Sequence, residues 1–218
     1  MFRMILMTQW KWGRLAVVLW AVAGFAVPLL SVQTIGDPVT ARWEIGDILT
    51  TVQVWGLVYP LLAGSAGLIL ALVTWGPDHA GRHVYALSLP VQRWHYALLR
   101  FGAGAVLLTL IVAGVLLGSL VAVASATLPE GLRAYPFALT LRFGLAALVA
   151  YGTFFAIAAG SNRTAGYILA GLGGLVLAQI LVGVAGSEVN FLAHLLERLF
   201  LWPGPLEVFT GRWMLIDV

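Results

Sequence analysis

Two histidines in the sequence have the spacing of a metal site. His79 and His83 are four residues apart, which would place both imidazoles on one face of a helix, as in some zinc sites. Asp78 is the only further ligand evident beside them, and Gly81 between them weakens a helix at this point. We therefore favour a polar contact surface here over a metal site.

One serine has neighbours that could suggest the nucleophile of a membrane protease. Ser65 lies in the run Gly64-Ser65-Ala66-Gly67, within an apolar stretch. Outside the region of His79 and its neighbours, the remaining histidine of the chain is His194, far along the sequence. Small residues in an apolar helix usually allow neighbouring helices to approach closely, so we interpret this run as a packing site. The sequence predicts a chain without a catalytic site of its own.

The histidine pair belongs to a compact polar stretch, Trp75–Arg100, which we call the polar segment. No charged residue occurs from Ile48 to Pro77 or from Phe101 to Pro129, on either side of it. The charged residues and histidines inside it are Asp78, His79, Arg82, His83, Arg93, His95 and Arg100. A short polar stretch between two long apolar ones suits a surface on which a soluble partner acts.

The composition of the chain is that of a membrane protein. Of its 218 residues 61% are hydrophobic and 10% charged, and the mean hydropathy is +0.97. A soluble domain of this length needs more charge on its surface, whereas apolar runs of roughly 20 residues cross a bilayer. We predict an all-α polytopic membrane protein forming one transmembrane domain over residues 1–218. The five predicted spans cover about 15–32, 54–75, 101–127, 143–160 and 165–185.

The segments outside the spans indicate an orientation. Residues 1–14 combine Arg and Lys with Trp and predict a helix lying at the membrane surface. Residues 189–218 contain an amphipathic helix and predict a segment on the outer face. With a cytoplasmic N-terminus, seven of the twelve Lys and Arg residues fall on the inner side, as the positive-inside rule favours. The basic residues are dispersed beside apolar runs, so the net charge of +3 does not indicate nucleic-acid binding.

The spans contain few groups that could carry ions. No Asp, Glu, Lys or His lies deep inside any of them, whereas carriers coupled to protons or ions generally need such groups on their pathway. A secondary transporter is therefore disfavoured, and the energy for any transport would come from a partner. Pro90 favours the start of a helix that continues into the third span, after a short helix over about 79–88. Two helices that meet at Pro90 would transmit a force from the partner into the third span. An ordinary connecting loop has the same sequence pattern.

Glycines mark two possible helix contacts. Gly114 and Gly118 form a GxxxG pair in the third span, and Gly171 and Gly174 lie in the fifth. Both pairs predict close helix packing, either within one protomer or between two.

The polar segment also resembles a known family. Asp78 after the second span, Leu87, Pro90, Val91 and Arg93 in the stretch Leu-Ser-Leu-Pro-Val-Gln-Arg, and Arg100 opening the third span are similar to ABC-transporter permeases of the type-2 exporter class. The surface helix at the start, the tight turn after the fourth span and the amphipathic segment after the fifth also look like that class. Members have six spans, and a sixth is not evident here.

The resemblance implies a function and a set of partners. It implies a permease subunit in a cell membrane, in bacteria the inner one, that pairs with a second permease subunit, identical or different. It also implies a cytoplasmic ATPase that binds Mg-ATP, while this chain binds no cofactor. The ATPase would contact the short cytoplasmic coupling helix and its surroundings. The predicted contact residues are Asp78, His79, Arg82, His83, Tyr85, Leu87, Pro90 and Arg93. The alternative is a non-catalytic scaffold or assembly protein with a cytoplasmic docking loop, and a membrane enzyme comes third.

Overall fold

The computed structural model is built almost entirely from α-helices. It describes residues 1–33, 45–80, 92–125, 133–160, 162–184, 190–211 and 213–217. The helices are α1 (Phe2–Gln33), α2 (Ile45–Ala80), α3 (Arg93–Ser125), α4 (Pro136–Ala158), α5 (Asn162–Val184) and α6 (Phe191–Phe200), followed by a 3-10 helix (Glu207–Phe209). Two two-residue strands, β1 (Arg133–Ala134) and β2 (Ile216–Asp217), pair with each other.

The chain divides into two compact units. The first unit comprises Met1–Phe155 and Arg212–Val218, and the second comprises Ala156–Gly211. Among the described residues, the five helices α1 to α5 are long and apolar enough to cross a membrane. The protein is therefore an all-α polytopic membrane protein, as its composition predicts.

The first helix is longer than a bilayer crossing requires. Its 32 residues extend for about 48 Å, against a hydrocarbon core of about 30 Å. Residues 2–14, predicted as a separate surface helix, form the first turns of α1, and the helix continues through residue 14 without a break. Trp12 is 66% exposed in these first turns.

The buried side chains of the second helix lie on one face, and this face continues to the polar end of the helix. Tyr59, Ala63, Ala66 and Leu70 are buried and recur every three or four residues, which places them on one face. Thr74 and Asp78 continue this spacing and are buried as well. The opposite face carries exposed leucines, which suits contact with lipid: Leu57, Leu61, Leu68 and Leu72.

Helices α1 and α3 pack closely because α3 carries glycines at the contact. A Cβ atom added to Gly114 would overlap the carbonyl oxygen of Ala21, and one added to Gly118 would overlap that of Phe25. The backbones of the two helices therefore touch where the GxxxG pair lies, and these glycines serve a contact within the protomer. Gly171 and Gly174 on α5 differ, since an added Cβ there would meet no atom within 4 Å.

Helices α2 and α4 meet in a similar way. A Cβ added to Gly67 would lie 2.5 Å from the backbone nitrogen of Tyr151 and 2.7 Å from the Cβ of Ala150. Ser65, on the same helix, accepts a hydrogen bond of 3.1 Å from the indole of Trp20 and donates one of 3.0 Å to the carbonyl of Leu62. Its hydroxyl thus joins α1 to α2, which is a packing role.

The end of the chain returns to the first unit. Trp213, Leu215 and Ile216 are all buried, and Ile216 pairs with Ala134 in the antiparallel register of β1 and β2. Residues 189–218 were predicted to form an amphipathic segment on the outer face. The last described residues of that segment pack within the first unit, where the ring of Trp213 stacks on that of Tyr59.

The second unit contains α5, α6 and the 3-10 helix. The side-chain oxygen of Asn190 accepts a hydrogen bond of 2.9 Å from the backbone nitrogen of Ala193, so Asn190 caps the start of α6. The side chain of Gln179 on α5 accepts one of 3.4 Å from the backbone nitrogen of Leu192, which joins the two helices. After α6, the hydroxyl of Thr210 donates to the carbonyl of Phe200, at 3.0 Å.

Candidate functional site

The polar segment is described at its two ends. Helix α2 ends at Ala80 and helix α3 begins at Arg93. Arg82, His83, Tyr85, Leu87 and Pro90 lie outside the described residues, as does the predicted coupling helix, and the side chain of His79 is not described either. The two ends of the segment, however, meet in a defined arrangement.

The first element of this arrangement is an ion pair between Asp78 on α2 and Arg100 on α3. The Nη1 atom of Arg100 lies 2.8 Å from Oδ2 of Asp78, and the two side chains are only 6% and 4% exposed. The same Nη1 atom donates a hydrogen bond of 2.7 Å to the backbone carbonyl of Thr74. Arg100 therefore bonds to the last turns of α2 at two places, the side chain of Asp78 and the backbone carbonyl of Thr74.

Aromatic rings enclose the ion pair. The Tyr96 hydroxyl donates to Oδ2 of Asp78 at 3.2 Å, and its ring centroid lies 5.1 Å from the guanidinium carbon of Arg100. The Trp75 ring lies 5.2 Å from that carbon. Both rings are buried and shield the pair from solvent, so the attraction between the two charges is little screened.

The first helix reaches the same site through Gln9. The side chain of Gln9 is 1% exposed, and its Nε2 donates to the backbone carbonyl of Arg100 at 3.2 Å. This bond joins the first turns of α1 to α3 at the level of the ion pair.

The fourth helix contributes Tyr151. Its hydroxyl donates to the backbone carbonyl of Phe101 at 3.3 Å and lies 3.5 Å from Oγ1 of Thr74. Its ring stacks on that of Phe101, with 5.0 Å between centroids. Helix α3 accommodates the ring because Gly104 has no side chain; an added Cβ would overlap the tyrosine hydroxyl. Four helices thus converge on one buried polar cluster: Gln9, Thr74, Trp75, Asp78, Tyr96, Arg100 and Tyr151.

The cluster lies at one end of the helix bundle, which we call the Asp78 end. Tyr59 and Asp78 share a face of α2 and are about 28 Å apart along it, close to the thickness of a hydrocarbon core. Asp78 lies two residues beyond Gly76, the last residue of the candidate span of α2, and charged side chains are tolerated better near the end of a span than at its centre.

The hydrogen bonds and the ion pair of the cluster join the helices to one another. The hydroxyls of Thr74 and Tyr151 donate to backbone carbonyls at Leu70 and Phe101 and are not paired with a base. Within the part of the chain that the structure describes, no group of three or more His, Cys, Asp or Glu side chains could hold a metal ion. Breaking the ion pair would leave a buried charge uncompensated, at a cost of about 3–5 kcal/mol. The pair therefore holds the ends of α2 and α3 together.

The residues predicted from the sequence differ in their surroundings. Asp78 lies in the cluster, whereas Arg93 is exposed at the first position of α3. Beside Arg93, the indole of Trp94 is 61% exposed and donates to the side-chain oxygen of Gln92 at 2.6 Å. Arg93 is therefore an exposed member of the polar segment.

Several members of the cluster were not singled out by sequence reasoning. Thr74 and Tyr96 each precede a charged partner by four residues, at Asp78 and Arg100, so both lie on the same helix face as that partner. This four-residue spacing could have identified Thr74 and Tyr96 from the sequence. Gln9 and Tyr151 carry no comparable signal, because their partners are on other helices.

Comparison with known proteins adds no relatives: no protein-family model, no curated protein and no solved structure matches this chain.

Proposed function

We propose that this chain is the membrane-spanning permease subunit of an ATP-binding cassette exporter. In this proposal the polar segment receives a cytoplasmic ATPase subunit, which binds Mg-ATP and supplies the energy. The N-terminus lies in the cytoplasm, and two permease subunits together form the route for the substrate. The membrane would be the plasma membrane, which in bacteria is the inner one.

The observation that supports this proposal best is the buried pair of Asp78 and Arg100. Residues 81–91 connect α2 to α3. The pair holds those two helices together close to this connection, with Asp78 shortly before it and Arg100 in the first turns of the helix after it. A force applied to the connection is therefore transmitted to both helices at once. Gln9 and Tyr151 extend the same contact network to α1 and α4, so the whole bundle would respond.

The apolar character of the spans supports an external source of energy. Asp78 and Arg100 neutralise each other, and the cluster opens onto no series of ionisable groups among the described residues of the spans. A coupled flow of ions has no evident pathway here. Energy supplied through a soluble partner fits this arrangement better.

The experiment that tests the proposal is purification of the tagged chain from its native membrane in a mild detergent. We expect a nucleotide-binding ATPase to accompany it in a fixed ratio. A variant with Tyr85→Ala and Leu87→Ala should insert normally but lose the ATPase. A matched control with Leu195→Ala and Leu196→Ala on α6, whose side chains are exposed, should keep it.

The alternative is a membrane scaffold with a docking loop. A chain that purifies with a soluble partner lacking a nucleotide site, and that loses it in the Tyr85 and Leu87 variant, would support that alternative. A chain that purifies without any soluble partner under these conditions would contradict the permease proposal.

A further inference from the structure

The contacts at the other end of the bundle, which we call the Tyr59 end, involve the last residues of the chain. The Trp213 side chain is 1% exposed and stacks on the ring of Tyr59, with 6.4 Å between centroids and 11° between planes. The guanidinium carbon of Arg142 on α4 lies 5.0 Å from the centroid of the Trp213 ring. One side chain from the chain end thus contacts both α2 and α4.

The contact extends to α1 and to the turn before α4. The Tyr59 hydroxyl lies 3.1 Å from Oγ of Ser31, near the end of α1. The backbone nitrogen of Tyr135 donates to the carbonyl of Leu215 at 2.8 Å, and β1 pairs with β2 directly beside this bond. Residues 213–217 therefore touch or support α2 near the start of its candidate span Trp55–Gly76, and through it the last turn of α1, as well as the first turns of α4.

We infer that residues 213–217 form a releasable strap that holds the Tyr59 end of α1, α2 and α4 closed. The strap is short, and three features hold it: the Trp213 ring, one antiparallel strand pair and the buried side chains of Leu215 and Ile216. The three helix ends separate only when this set of contacts is released. The inference rests on these contacts alone and does not require the proposed transport function.

The absence of cysteine from the sequence allows a direct test of the strand pairing. The bond from Tyr135 to Leu215 places Ala134 opposite Ile216 at a non-hydrogen-bonded position, where Cα atoms are about 4.5 Å apart. This separation suits a disulfide. We expect the variant with Ala134→Cys and Ile216→Cys to form an intramolecular disulfide under mild oxidation.

The matched control shifts one cysteine by a single residue. Neighbouring side chains of a strand point to opposite faces, so Tyr135→Cys with Ile216→Cys should form little disulfide. Counting free thiols by mass spectrometry after oxidation distinguishes the two variants. Equal yields from both would mean that the strap is not held in this register, and would overturn the inference.

A second measurement tests whether the strap closes the helix ends. Ser31→Cys reports on the Tyr59 end, and Thr74→Cys reports on the Asp78 end, since both side chains are buried. Adding Trp213→Ala should raise the rate of thiol labelling at position 31 about tenfold, in line with the loss of a ring stack and a cation–π contact. Labelling at position 74 should not change.

The comparison of the two positions separates local release from unfolding. Trp213→Phe retains a ring for Tyr59 and should give a smaller increase at position 31 than Trp213→Ala. Faster labelling at both positions would indicate general destabilisation, and unchanged labelling at position 31 would indicate that Trp213 does not hold the end closed. Either result would overturn the strap. If Trp213→Ala does not accumulate in the membrane, Trp213→Phe supplies the comparison, and it should still raise labelling at position 31 and not at position 74.

Discussion

The guanidinium of Arg100 lies 2.8 Å from the carboxylate of Asp78, although these residues stand at opposite ends of the polar connection between α2 and α3. Asp78 directly follows a stretch of 30 uncharged residues, and Arg100 directly precedes one of 29. Their pairing joins the two membrane-spanning helices that flank the connection. This relationship underlies the first prediction that follows and the double variant that sharpens it.

Replacing Asp78 by Asn should destabilise the protein by about 3 kcal/mol, because the charge of Arg100 would remain buried without a carboxylate. Unfolding in detergent by a chemical denaturant measures this change. Arg93→Gln is the matched control, since Arg93 is exposed on the same helix as Arg100; a change within about 0.5 kcal/mol is expected there.

The double variant Asp78→Leu with Arg100→Leu sharpens that test. Replacing both charges by apolar side chains removes the buried charge, so part of the stability lost in Asp78→Asn should return. If Asp78→Asn were no less stable than the control Arg93→Gln, the pair would not be holding α2 to α3.

Gly118→Ala should destabilise the protein by about 1–3 kcal/mol. The added methyl group would overlap the carbonyl of Phe25, so α1 and α3 would have to separate. Thermal unfolding of the purified protein reports the loss. Gly171→Ala is the same chemical change at a helical position where the Cβ meets no atom within 4 Å, and alanine favours helix by up to about 1 kcal/mol there. Equal effects at both positions would contradict a specific contact at Gly118.

Arg93→Glu should reduce the ATP hydrolysis that the chain stimulates in the proposed complex, because the charge at the accessible start of α3 is reversed. Insertion and thermal stability should stay unchanged, as expected of an exposed side chain. Arg198→Glu on α6 is the control, because Arg198 is also exposed but belongs to the second unit. Hydrolysis that is equal in the two variants would exclude a coupling role for Arg93.

The predicted orientation can be tested by cysteine labelling in a background that contains no other cysteine. Ser161→Cys, at the predicted tight turn between α4 and α5, should be shielded from an impermeant thiol reagent added outside intact cells. Trp202→Cys, whose native side chain is 83% exposed after α6, should be labelled under the same conditions. Labelling of Ser161→Cys without permeabilisation would reverse the assigned topology.

The fold class, and the five apolar helices long enough to span a membrane in the described part of the chain, follow from the sequence alone. Long apolar runs are a local property of the chain, and the bilayer admits few structures other than helices for them. The charged limits at Asp78 and Arg100 and the glycines at Gly114 and Gly118 were also visible, because each stands out against its immediate neighbours.

Other features were decided by the tertiary structure. The bond from Gln9 to the carbonyl of Arg100, the place of Tyr151 beside Gly104 and the stacking of Trp213 on Tyr59 all join residues from different elements. Hydropathy and helical spacing predict which face of a helix is buried, but not which residue of another helix lies against it. That choice depends on the rotation and depth at which helices pack, and these arise from the fit of all their side chains together. For the same physical reason, the return of the chain end to the Tyr59 end could only be seen in three dimensions.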